Sequence, residues 1–109
     1  MTQQAVIVHF RYGSSDLTRL FELEDLIEDA IESAGVGRFD GDLVATDGRD
    51  GYLYMYGADA DRLLAIVEPI LASADFMSGA EVTRQYGLAE PGVRQASSTI
   101  VFQAPQRAS

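Results

Sequence analysis

The only histidine of the chain, His9, stands two residues before Arg11 in "AVIVHFR", and "GYLYMYG" sets Tyr52, Tyr54 and Tyr56 in strict alternation with Leu53 and Met55. Brought onto one surface, an imidazole, a guanidinium and several phenols could form a small acid–base pocket of the kind used for cofactor-free chemistry. One histidine cannot make a multi-histidine metal site, and it picks out no Ser-His-Asp order among the many serines and aspartates. The plainer reading of His9 is a strand residue at an interface or under a cap. No catalytic residue is assigned. Three phenols on one face also evoke sheets that stack RNA bases, but a formal charge of -9 and basic residues that are all arginine oppose contact with phosphate.

A second group of reactive types is Asp40, Asp42, Asp47 and Asp50, in "FDGDLVATDGRDG". Calcium favours such oxygen-rich loops, but the twelfth position holds no Glu and branched residues occupy the middle ligand places. Asp and Gly are also the residues that tight turns select, which explains the cluster without a metal. No phosphate-binding Gly-Lys loop is present, so neither metal nor cofactor is expected.

These residues sit in a chain of 109 with an apolar fraction of 47% and no cysteine. That length and composition suit one globular domain, with its core over about residues 5–103 and a polar tail at 104–109. Disulfides, thiolate metal sites and cysteine nucleophiles are excluded. The start of the chain has no basic segment followed by a long apolar run, so the expected location is cytoplasmic, with no membrane contact. Acidic residues crowd the stretch from Asp16 to Ala34, where Glu22, Asp25, Asp29 and Glu32 mark either a solvated helix face or a docking face for a basic protein partner.

"AVIVHF", residues 5–10, reads as a central strand. "YGSSD" supplies a turn and an N-cap at Ser14 or Ser15. A helix follows, on which Leu17, Leu20, Leu23 or Glu24, Ile27, Ile31 and Ala34 form the buried stripe before "GVG" ends it. "DLVAT" (42–46) and "YLYMYG" (52–57) bracket a Gly/Asp turn and make a hairpin. A second helix carries Leu63, Ile66, Val67, Ile70 and Leu71, with a kink or break expected at Pro69. Strands are expected at 79–87 and 97–103, separated by a turn at "AEPG". The order β-α-β-β-α-β plus one strand predicts an α+β, ferredoxin-like split β-α-β sandwich, with an antiparallel sheet of order 4-1-3-2 and both helices on one face.

In that topology the first and third strands are neighbours. Burying three phenols would demand three hydrogen-bond partners, each missing one costing about 1–3 kcal/mol, whereas Leu and Met demand none. Leu53, Met55, Val6, Val8 and Phe10 are therefore expected inside, and Tyr52, Tyr54, Tyr56, Ile7, His9 and Arg11 on the uncovered face. A half-apolar patch of this kind marks a contact. The readings open at this point are a homodimer, coverage by the C-terminal strand, and a ligand or partner site.

The stretch from "GVGRFDGDLVATDGRDGYLYMYGADADRLLAIVEPIL" to "GAEVTRQYG" resembles a group of small single-domain bacterial proteins with a "DG…G-x-LYMYG-x-DAD" core and an acidic first helix. The resemblance covers most of residues 5–87 and is most specific in the YMYG-x-DAD segment. It implies the same fold and brings no activity, catalytic residue or cofactor with it. The leading functional expectation is a non-catalytic module that binds itself or a basic protein. The alternative is a small-molecule binder, or a cofactor-free enzyme, with its pocket on the open sheet face of a dimer.

Overall fold

The computed structural model describes residues 3–87 and 94–101. It is an α+β structure in which strand β1 (Gln4–Arg11) leads to helix α1 (Thr18–Ala34) and the hairpin of β2 (Arg38–Val44) and β3 (Asp50–Gly57). Helix α2 (Ala60–Ala72) and a 3-10 turn (Asp75–Met77) follow, then β4 (Glu81–Gln85) and β5 (Gln95–Thr99). All pairings are antiparallel, and the sheet runs β2-β3-β1-β4-β5. It differs from the expected four-strand order by the fifth strand outside β4. That strand extends the sheet edge, so the described part of the C-terminal segment does not fold across the open face. The turn at "AEPG" and the polar tail lie outside the described residues.

Strand alternation divides the side chains as the hydrogen-bonding cost of phenols requires. Val6, Val8, Leu53 and Met55 are 0% exposed and Phe10 1%, packed with Leu20, Ile27 and Ile31 of α1 and Leu63, Val67 and Leu71 of α2. Burying a side chain of this size stabilises by about 1.5–3 kcal/mol. Both helices therefore cover one face of the sheet.

Local starts and stops differ from expectation in four places, the last strand being one, since β5 starts at Gln95 rather than at 97 and ends at Thr99. Neither Ser14 nor Ser15 caps α1. Leu17 occupies the cap position without a side-chain bond, and Asp16 Oδ1 instead accepts from the Thr18 N–H (3.0 Å) and hydroxyl (2.7 Å). Those bonds hold the Asp16 carboxyl below its usual range. Strand β2 starts at Arg38 rather than at 42, because a register shift between Phe39 and Gly41 absorbs "FDG" into the strand as a bulge. Pro69 lies inside one uninterrupted α2, three residues from its end, where only one backbone bond is forfeited. Asp59 caps that helix by accepting from the Arg62 N–H, and Gln4 Oε1 accepts from Ala60 N at 2.8 Å.

The β2–β3 turn is fixed against the loop after β1. Tyr12 N–H donates to the Arg49 carbonyl (3.0 Å) and Gly13 N–H to that of Gly48 (2.8 Å). Gly48 has φ +74°, and a Cβ there would stand 1.8 Å from the Ser14 carbonyl oxygen. Only glycine meets both conditions.

Candidate functional site

Cross-strand pairs project to the same side of a sheet, so the register defines the open face. One row runs Leu43, Tyr52, His9, Glu81, Thr99, and the next Gly41, Tyr54, Ile7, Thr83, Ser97. A third runs Arg38, Tyr56, Ala5, Gln85, Gln95. The half on β2, β3 and β1 is aromatic and aliphatic; the half on β4 and β5 is polar. Leu43 is 62% exposed and Tyr52 36%, while Ile7, Tyr54 and Tyr56 are partly covered by their neighbours. Among the described residues none of the hydroxyls of Tyr52, Tyr54 and Tyr56 has a hydrogen-bond partner.

The aromatics form a ladder. The His9 ring stacks on Tyr52 at 4.5 Å between centroids and 15° between planes, and Tyr52 continues to Tyr54 at 6.1 Å and 21°. Arg38 lies over Tyr56 at 5.7 Å. His9 Nε2 is 3.0 Å from Asp50 Oδ2. A carboxylate only accepts, so Nε2–H donates to it. The structure thus brings Ile7, His9, Arg11 and the three tyrosines together and adds Asp50, which lies 41 residues from His9 in sequence.

Two hollows lie at this end of the face, and only the smaller touches the imidazole. His9, Arg11, Ser78, Gly79 and Glu81 line one of about 90 Å³. Arg11, Arg49 and Asp50 line a more open one of about 380 Å³. Arg11 is common to both.

The remaining acidic candidates separate. Asp40 is exposed at the β2 bulge; Asp47 Oδ1 accepts from Arg49 N–H, a turn bond; Asp42 is on the helix-facing side of β2; Asp50 belongs to His9. Among the described residues no group of acids and histidines gathers as a metal site. Glu22, Asp25, Asp29 and Glu32 are all exposed along α1, with Phe21 (51% exposed) and Leu26 (56%) beside them. At the start of α2, Asp61 accepts from Arg84 (2.8 Å) and from the Tyr86 hydroxyl. The Tyr86 bond is the first cause that lowers the Asp61 carboxyl and raises the Tyr86 phenol.

One titratable group was not singled out in the sequence as more than an alternative to Leu23. Glu24 is 9% exposed, and its Oε2 has no partner among the described residues. Burial, reinforced by the neighbouring carboxyls of Asp42 and Asp25, pushes it up to about 8.

Compared with known proteins, the chain matches no protein-family model, no curated protein and no solved structure. A functional reading rests on this geometry.

Proposed function

We propose that the protein is a ferredoxin-like, cytoplasmic, self-associating module in which the open sheet face of one copy packs on that of a second. The observation that carries the reading is the charge of this face. Its strand positions hold Arg11 and Arg38 against Asp50 and Glu81, with Asp40 at the β2 bulge, so its charges nearly balance in a chain of net charge -9. Two such molecules repel through their helices and meet with least repulsion through this nearly balanced surface. The same surface presents Leu43 and Tyr52 to water, beside the Tyr54 and Ile7 row, as a contact core would. Sedimentation equilibrium is the test, with a dimer expected and with Tyr54→Asp expected to separate it. The acidic face of α1 would remain free on both copies for a basic protein partner.

A second reading is favoured by the His9–Asp50 pair. An imidazole oriented by a carboxylate and a stacked ring, lining a small hollow beside the Arg11 guanidinium, suits a small-ligand site or a cofactor-free acid–base centre. A thermal-shift comparison of wild type and His9→Ala across small metabolites tests it. Stabilisation of wild type alone is expected, and identical profiles without a hit would remove the reading.

A further inference from the structure

Arg11 and Glu81 border the same hollow from adjacent strands, and among the described residues neither forms an ion pair. Arg19, Arg49 and Arg84 are matched with Asp75, Asp47 and Asp61; Arg38 and Arg62, like Arg11, have no ion pair among the described residues, but only Arg11 shares a hollow with an unpaired carboxylate. Glu81 pairs across the sheet with His9, and Arg11 is two residues farther along β1, which makes the two charges diagonal neighbours. Such neighbours have Cα atoms about 7–8 Å apart. A simple anion drawn to Arg11 would meet the Glu81 carboxylate, and a simple cation drawn to Glu81 would meet the guanidinium. A solute carrying both signs a few bonds apart satisfies each.

We propose that this hollow binds a small amino-carboxylate, its carboxylate on Arg11 and its ammonium on Glu81, over the His9 imidazole. The proposal rests on the ligand-site reading above and names the ligand class. The hollow of about 90 Å³ has room for several waters, which suits the charged end of an amino acid. The larger hollow has Arg11 as a wall too, on the β3 side of β1. The walls are fixed: Gly79 N–H donates to the Ile100 carbonyl at 2.9 Å, and the residue after Arg11 is tied to Arg49. His9 is itself held by Asp50 and Tyr52, so ligand binding needs no rearrangement of the floor.

The single imidazole makes the experiment clean. Its ring resonances are followed by NMR while glycine, alanine, acetate and methylammonium are titrated at fixed ionic strength, on wild type and on Tyr54→Asp. Glycine and alanine are expected to shift the ring saturably, with acetate and methylammonium at least about tenfold weaker. Arg11→Gln and Glu81→Gln, both at exposed positions, are each expected to weaken glycine at least about tenfold with the amide spectrum otherwise unchanged. Acetate binding as well as glycine, or indifference of glycine to Glu81→Gln, would overturn the assignment. Saturable shifts from another solute with glycine silent would overturn the ligand class while leaving the pocket in place. No shift from any solute in the metabolite set would remove both.

Discussion

At the scale of single residues, the open face is defined by what each side chain needs. Leu53 and Met55 lose nothing by leaving water, and the three phenols would each have needed a partner, so the alternation in "YLYMYG" resolves with its tyrosines outward. Gly48 is the residue that fixes the end of this face. Its positive φ and the Ser14 carbonyl leave no room for a Cβ, so Gly48→Ala is expected to cost about 3 kcal/mol or more in denaturant unfolding. It should also loosen the turn that supplies Arg49 and Asp50. The outward tyrosines were legible in the sequence because alternation with a chemical asymmetry is a local signal. The His9–Asp50 pair was not, because it depends on the β1–β3 register, which no short stretch of sequence states.

At the scale of elements, α1 and β2 meet at a carboxyl that the periodicity placed only ambiguously. Leu23 and Glu24 both turn inward, and Glu24 brings an acid into a seam where the charges acting on it are those of Asp42 and Asp25. Its folded value, about 8, stands above the ordinary 4.5, so the folded state holds a proton that the unfolded state has released. Glu24 therefore contributes its full stability below pH 4.5 and loses it as the pH rises towards 8. Over that window wild type should lose about 2–4 kcal/mol of unfolding free energy from this group, the partial access of the seam to water keeping it below the full linkage value. Glu24→Gln should flatten the profile and be the more stable protein at pH 8 and above. Denaturant unfolding from pH 4 to 9 checks both. Strand β2 was half legible for a related reason: "RFDG" carries turn chemistry, and the bulge that draws it into the strand forms only against β3.

At the scale of the whole molecule, the β-α-β-β-α-β alternation was legible because each period change falls at a Gly- or Asp-rich break. The destination of the last strand was not, since "SSTIV" carries no signal for edge pairing over face coverage; the structure pairs it with β4. The open face thus stays uncovered by every described residue of the chain, nearly balanced in charge in an acidic protein and apolar over β2, β3 and β1. A second copy meets all three conditions. Replacing the central Tyr54 by Asp puts an unpaired charge in the middle of such a contact and should weaken association by about 2 kcal/mol or more, roughly thirty-fold. Folding stability should change little, because Tyr54 stands on the open face, away from the buried core. The most direct measurement is sedimentation equilibrium of wild type and Tyr54→Asp over a wide concentration range. A dimer mass for wild type and a monomer mass for the variant are expected; a wild-type monomer at every concentration would contradict the account.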